Sequence, residues 1–360
     1  MSRELGAVVD GAPAILRIGD DARIQGIEAA PTLGLDRAPR VTRGFVDLHA
    51  HGAAGHSYDD AAPAGIAAAL ALHRAHGTTG ALLSLVSAPV PALARRLAQL
   101  RSELPAHPGA LGVHLEGPFL APGRRGAHDP HALTAPTPAA VDALLEAGEG
   151  ALRVVTIAPE LPGALAAIDR FVAAGVDVAV GHTEADAAGA AAAFDRGASL
   201  LTHAYNAMPG LGHRDPGPIG AALERDHVVL ELIADGIHVA PVVLAALVAA
   251  APGRVALVTD AMAATGLGDG RHRLGGLDVD VVDGRPVLAG STTLAGSTLT
   301  LDRAIAIAVG AGVDVDAAVA AATAVPAAVL GLGTRPIAAG TALADLVAIG
   351  PDGSRLDLRS

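Results

Sequence analysis

The 360-residue chain contains no cysteine and no lysine, and only 2% of its residues are aromatic. The missing cysteine excludes disulfides, thiolate nucleophiles and thiolate metal sites. With so few aromatics and 51% hydrophobic residues, alanine, valine and leucine must fill the core. Abundant alanine also blurs helix ends, because it suits helices everywhere. Basic charge is scarce as well: the formal net charge is −12. Such a chain has no electrostatic footprint for nucleic acid or for an anionic membrane surface. An anionic small molecule would need a local basic pocket to overcome the global field. Long apolar runs are absent too, because Gly, Pro or a charge interrupts each one before spanning length. The segment Met1 to Asp10 carries Arg3 and Glu4 and no apolar signal core. These absences lead us to expect a soluble, cytoplasmic protein.

What is present is a set of short apolar runs that end in metal-binding or acid–base side chains. Gly44 to Leu48 leads to His49-Ala50-His51, and Leu111 to Leu115 leads to Glu116. Val176 to Val180 leads to Gly181-His182, Ser199 to Thr202 leads to His203, and Val255 to Thr259 ends in Asp260. An apolar run of this length predicts a buried strand. Polar residues ending strand after strand predict a site at one rim of a parallel barrel. Histidine and carboxylate without thiol suit a hydrolytic divalent metal.

Strands are predicted at 43–49, 79–86, 110–116, 152–157, 176–182, 198–203, 228–234 and 255–260. Helical stretches lie between them at 61–76, 92–104, 138–147, 161–174, 184–196, 219–226 and 241–250. This alternation predicts an α/β fold, a (β/α)8 TIM-type barrel, with an open doubly wound sheet as the alternative. Residues 272–290 predict a β-hairpin, with turn signals at Gly275-Gly276 and Asp283-Gly284. Two more helices, 299–311 and 314–328, would complete the barrel. Short apolar pieces at 14–18, 23–27 and 340–349 predict a small β-sandwich built from both termini. The expected division is 1–43 and 333–360 for that layer and 44–332 for the barrel.

His49 and His51 stand two apart on a strand, so both side chains share one face and can reach one metal. Singly, each candidate has a plain structural reading: a solvent-facing strand end, a turn acid at Glu116, a helix-cap neighbour at His182, a core histidine at His203. Jointly these readings require chance to end successive buried strands in polar residues. A carboxylate at Asp260 beside a metal site is placed to accept a proton from water. Arg214, in the Gly/Pro-rich loop 208–218, offers a planar fork for phosphate, and reads equally well as a solvated loop charge. His238, Asn206 and the amide of Ala207 are further candidates for ligand contacts. His128 is a candidate to polarise a carbonyl, and Arg124 and Arg125 beside it read as loop surface.

Taken together, Gly44-Phe45-Val46-Asp47-Leu48-His49-Ala50-His51-Gly52, His114-Leu115-Glu116-Gly117-Pro118-Phe119, Gly126-Ala127-His128, Gly181-His182-Thr183, Thr202-His203-Ala204-Tyr205-Asn206-Ala207-Met208-Pro209, Asp235-Gly236-Ile237-His238, Thr259-Asp260-Ala261-Met262 and Leu294-Ala295-Gly296-Ser297 carry a resemblance. They resemble, in order, the N-acetylglucosamine-6-phosphate deacetylases of the amidohydrolase superfamily. The resemblance implies a principal metal on Glu116, His182 and His203. It implies a second on His49 and His51 with Glu116 bridging, since members with His-x-His hold two metals and others one. Zinc is the first expectation, with iron, manganese or cobalt as alternatives. Asp260 would be general base and then acid while a metal-activated water attacks the acetamide, and His128 would contact the acetyl carbonyl. Asn206, Ala207 and Arg214 would hold the sugar phosphate, His238 the sugar, and Ala127 with Leu294, Ala295 and Gly296 would line the pocket. The implied partner is a phosphorylated amino sugar, and the implied assembly a homodimer or homotetramer. One departure is Val325-Pro326, where the family pattern has Asn-Pro. Competing readings are a deacetylase of N-acetylgalactosamine 6-phosphate or another N-acyl sugar, and a catalytically silent barrel acting as a binding module. Cyclic-amide hydrolases of the dihydroorotase type use a bridging lysine, which this chain does not have.

Overall fold

Eight of the apolar runs become eight parallel strands of one sheet, ordered along the sheet as along the chain. They are Phe45–Asp47, Thr78–Leu85, Ala110–Glu116, Leu152–Ile157, Asp177–Val180, Leu200–Leu201, Val229–Ile233 and Val255–Val258. The structure is a computed structural model, and it describes residues 3–333 and 336–359. Met1, Ser2, Thr334, Arg335 and Ser360, which fall in the expected terminal segments, lie outside the described residues.

A helix follows each of the first seven strands, and proline marks several starts. Pro63, Pro138 and Pro241 occupy first-turn positions, where a missing N–H costs nothing and the fixed φ suits the helix. Thr137 caps one helix by accepting from the amide of Ala140, and Asp186 caps another by accepting from Gly189. The sheet closes beyond its strand ends. The amide of Asp260 donates to the carbonyl of His49 at 2.8 Å, and the amide of His51 donates to Ala261 at 2.7 Å. Closure therefore occurs at the end of the barrel that carries the polar strand termini. All four phenylalanines and Tyr58 are buried among Ala, Val and Leu, so the rare aromatics are core spacers.

Both termini build one mixed sheet beside the barrel. Its order is Arg355–Leu356, Leu346–Ile349, Arg40–Arg43, Arg3–Val9, Ala12–Ile18, Ile24–Ala29. The sheet curls round a core of Leu16, Ile24, Val41, Leu346 and Ala348. Its far edge meets the C-terminal segment, where Ile24 donates to Thr341 at 2.8 Å and Gly340 donates to Ile24 at 2.7 Å. The strands Arg3–Val9 and Arg40–Arg43 go beyond the sequence expectation.

Two expectations are corrected. The predicted hairpin at 272–290 is a three-stranded antiparallel sheet, Gly270–Leu274, Leu277–Val282 and Arg285–Leu288. Each of the two turn signals makes its own reversal, and Asp283 and Gly284 both hold positive φ, 52° and 72°. The predicted helix 314–328 is two helices, Val315–Ala322 and Ala324–Val329. Pro326 has no N–H to offer Ala322, and the chain breaks at Thr323, whose hydroxyl turns back to the Val319 carbonyl at 2.7 Å. Among the described residues no helix is long and apolar enough to cross a membrane.

Candidate metal centre and active site

The strand ends deliver their side chains to one buried point. Glu116 is the last residue of its strand, and His182, His203 and Asp260 each lie two residues beyond theirs. At all three of the latter the backbone turns left-handed, with φ of 47°, 26° and 49°. A residue with a Cβ is uncommon there and costs roughly 1–2 kcal/mol. Strain of this kind persists only where surroundings over-determine it, and it clusters at working sites. His49 and His51 arrive from the first strand and are wholly buried.

Glu116 is the hub. Its Oε1 lies 3.0 Å from His182 Nε2, 3.1 Å from His203 Nε2 and 3.4 Å from His49 Nε2. Its Oε2 lies 3.1 Å from His51 Nε2 and 3.2 Å from His128 Nε2. Asp260 Oδ1 completes the far side, 3.3 Å from His51 Nε2 and 3.7 Å from His49 Nε2. Two donor triads result: Glu116, His182 and His203, and His49, His51 and Asp260.

The hydrogen bonds on the outer ring nitrogens divide the histidines into two kinds. His182 Nδ1 lies 2.8 Å from the Arg124 carbonyl, to which it can only donate. With the proton on Nδ1, the ring is set to aim a lone pair from Nε2, when it ligates, towards Glu116 and His203 Nε2, 3.0 and 3.1 Å away. His49 Nδ1 faces the Glu231 carboxylate at 3.3 Å, so a neutral ring, as a bound metal would require, likewise turns its Nε2 lone pair inward, 3.2 Å from His51 Nε2. Lone pairs converging on carboxylate oxygens repel unless a cation lies among them, and a second hydrogen bond on the outer nitrogen is the usual partner of a metal-bound imidazole. The donor set fits a divalent metal of the zinc, iron, manganese or cobalt kind. His128 is the opposite case. Its Nδ1 accepts from the amide of Ser87 at 3.1 Å, which leaves the proton on Nε2, facing the centre.

The electrostatics agree. Asp47, Glu116, Glu231 and Asp260 are buried, and no arginine among the described residues is buried with them. Burial opposes ionisation of Glu116, but His49, His128 and His182 hold its carboxyl well below the usual range. Burial also opposes a charge on His51, yet Asp260 and Glu116 raise its pKa to about 9. Burial opposes a charge on His49 too, and Glu116, Glu231 and Asp260 raise it well above the ordinary value. The centre thus calls for positive charge.

Residues 40–356 match the model of the amidohydrolase family. The chain belongs to that family. Among similar proteins, the N-acetylgalactosamine-6-phosphate deacetylase of Escherichia coli O157:H7 is 41% identical over 297 residues, which are 81% of this chain and 78% of that one. The N-acetylglucosamine-6-phosphate deacetylase of Vibrio furnissii is 36% identical over 304 residues, 81% of this chain and 75% of that one. A solved structure of N-acetyl-D-glucosamine-6-phosphate deacetylase from Mycobacterium smegmatis superposes with a TM-score of 0.87 at 42% identity. It covers 98% of this chain and 96% of that one, and is an aspartate-to-alanine mutant in complex with N-acetyl-D-glucosamine-6-phosphate.

The remaining candidates of this amidohydrolase fall into three settings. Ala127 and Ala295 pack in one apolar cluster with Val86 and Met262, under the three-stranded sheet. Leu294 bridges to Val287 of that sheet, and Gly296 passes so close that a Cβ would stand 2.9 Å from the Asp260 carbonyl. At φ of 62° only glycine is at ease there. His238 Nδ1 donates to Asp235 at 2.6 Å, which fixes the ring and leaves Nε2 free. Asn206 turns its amide nitrogen back onto the carbonyls of His203 and Ala204, and the Ala207 carbonyl accepts from the amide of Thr183 at 3.1 Å. Arg214 is exposed, with no side-chain hydrogen bond or ion pair among the described residues.

The sequence reading missed several members of the site. Glu231 stands mid-strand behind His49. His114 packs edge-on to His49 at 4.5 Å between centroids, held by Ser84 at 3.0 Å and Thr156 at 2.9 Å. Arg124, whose side chain reads as loop surface, contributes its backbone carbonyl to His182. A signal existed for Glu231: it is a lone acid inside the otherwise apolar run Val228 to Ala234.

Proposed function

We propose that this amidohydrolase removes the acetyl group of N-acetyl-D-glucosamine 6-phosphate, giving D-glucosamine 6-phosphate and acetate in amino-sugar catabolism. The observation that carries the reading is the pair of donor triads joined at Glu116, with a protonated His128 Nε2 on the same carboxylate. The similarity to deacetylases of phosphorylated N-acetyl sugars supports the substrate class. We take 44–332 as the catalytic barrel, flanked by 1–43 and 333–360.

Glu116, His182 and His203 would hold one divalent metal, and His49, His51 and Glu116 a second, zinc being our first assignment. When bound, such a metal polarises a carbonyl oxygen and brings the pKa of water down to about 7. Asp260 accepts the proton of the water that attacks the acetamide carbon. The same carboxylic acid then gives that proton to the departing nitrogen as the C–N bond breaks, so Asp260 ends as it began. His128 Nε2–H donates to the carbonyl oxygen as negative charge develops on it. Arg214, Asn206 and the Ala207 amide bind the sugar phosphate, and His238 Nε2 binds a sugar hydroxyl. Ala127 and Leu294 to Gly296 shape the acetyl pocket. A phosphorylated sugar is confined to the compartment that phosphorylates it, which supports action in the cytoplasm, as a homodimer or homotetramer.

A second reading, the galacto epimer as substrate, is favoured by the 41% identity to an N-acetylgalactosamine-6-phosphate deacetylase. Acetate release from both phosphorylated epimers and from unphosphorylated N-acetylglucosamine, with added Zn²⁺ and after chelation, tests the proposal. Chelator-sensitive turnover highest on the phosphorylated gluco sugar is the expected result. Preference for the galacto sugar selects the second reading, and a metal-loaded protein inert on all three overturns both. A protein that binds no metal would be the silent module.

A further inference from the structure

Glu231 is a buried carboxylate that neither donor triad uses, and unlike Asp47, which holds the His49 backbone, it faces the His49 ring. It projects from the strand Val229–Ile233 and is 1% exposed. Its Oε2 reaches His49 Nδ1 at 3.3 Å and, more weakly, the backbone amide of His203 at 3.4 Å. Its Oε1 is buried with no hydrogen-bond partner among the described residues. Among the described residues no arginine is buried beside it, and the chain has no lysine. A carboxylate left in such a place is costly unless it serves the positive centre in front of it.

The two triads are built alike: each has one histidine whose outer nitrogen is held and one, His203 or His51, whose outer nitrogen has no partner among the described residues. In the Glu116 triad, the outer nitrogen of His182 is fixed by a backbone carbonyl, Arg124. In the other triad, the outer nitrogen of His51 has no partner among the described residues. His49 is therefore the one imidazole of that triad whose tautomer is fixed, and Glu231 fixes it.

We propose that Glu231 is the positioning residue of the His49, His51 and Asp260 triad: by holding the proton on His49 Nδ1 it keeps the Nε2 lone pair inward, and occupancy of that metal position depends on it. The inference rests on the reading of a two-metal centre. A glutamine at 231 can offer its amide N–H to His49 Nδ1 and so turn the ring to the tautomer whose Nε2 carries hydrogen and cannot ligate.

The experiment titrates metal-depleted full-length protein with Co²⁺, following visible ligand-field absorption and bound metal per chain. Wild type is expected to bind two equivalents. Glu231→Gln is expected to bind the first with unchanged affinity and spectrum and the second about 10- to 100-fold more weakly. Glu231→Asp keeps the charge but withdraws the contact, and is expected to weaken the second equivalent too; it carries the test if the glutamine variant does not fold. Two equivalents at wild-type affinity in both variants would overturn the role of Glu231 and leave the two-metal reading intact. A single equivalent in wild type would overturn the two-metal reading itself, and this inference with it.

Discussion

Asp47 accepts the hydroxyl proton of Thr259 across 2.6 Å and so joins the first barrel strand to the last. These two strands share no ladder, and the same carboxylate also accepts the amides of His49 and Thr259 at 3.2 and 3.3 Å. Asp47 is wholly buried, and burial raises its pKa to about 6 against the pull of Thr259 and those amides. Within the strands the seam is therefore held by one acid, directly beneath His49 and Asp260, and the backbone bonds that close the barrel lie just beyond the strand ends.

Thr259→Val should expose the weight of that seam. It keeps the shape and removes the hydroxyl, leaving a buried carboxylate oxygen short of a donor. The expected loss is about 1.5–3 kcal/mol of unfolding free energy, measured by urea denaturation at neutral pH. A loss below about 0.5 kcal/mol would mean the seam is held elsewhere.

Asp260→Asn tests the proton relay. Asparagine keeps the volume but can neither take the proton from water nor return it to the amine. Turnover should fall by roughly 10²–10⁴ while metal remains on Glu116, His182 and His203. Near-normal turnover with metal bound would remove Asp260 from that role.

Arg214→Ala separates recognition from chemistry. Arg214 is exposed and unpartnered among the described residues, so its removal should leave stability unchanged. KM for the phosphorylated sugar should rise about tenfold or more with little change in kcat, the scale of one lost charged hydrogen bond. An unchanged KM would make Arg214 an ordinary loop charge.

His73 gives a pH signature away from the reaction. It is buried in the first barrel helix, 3.2 Å from the Gly52 carbonyl, and burial lowers its pKa to about 4. The folded value lies below the unfolded one, so the unfolded chain takes up the proton first. Stability is lost as pH falls from about 6.5 towards 4. His73→Gln keeps a donor to Gly52 without the titration. Between pH 7 and pH 5 wild type should lose about 2 kcal/mol more than this variant in urea melts. Parallel losses would show that His73 does not titrate in this window.

Most of the barrel was legible because its strands are fully buried, and full burial writes itself as unbroken apolar runs. Polar termini such as Glu116 and Asp260 stood out against that background. The terminal sheet was less legible, because a strand such as Arg40–Arg43 pairs through its backbone and owes little to side-chain pattern. The three-stranded sheet was half seen: both of its turns were visible, but a strand of mixed character like Gly270–Leu274 buries only Leu274 and so has little apolar pattern to announce it. The helix break at Thr323 was hidden by alanine, which favours continuing the helix on both sides. Glu231 was passed over because one acid in an apolar run looks like noise until the fold sets it behind His49. Nothing in the sequence could tell the tautomer of His128 from that of His182, since each depends on a backbone group brought from another strand or loop.

The left-handed backbone at His182, His203 and Asp260 sets evolution and engineering at odds. At each of these positions glycine would relax the chain and lose the side chain that the site is built from. A library selected for thermal tolerance alone should drift towards small, flexible residues at all three, and its hardiest survivors should be inert. Robust variants of this barrel that keep their activity are therefore to be sought at the opposite rim and in the terminal sheet, where backbone ease and chemistry do not compete.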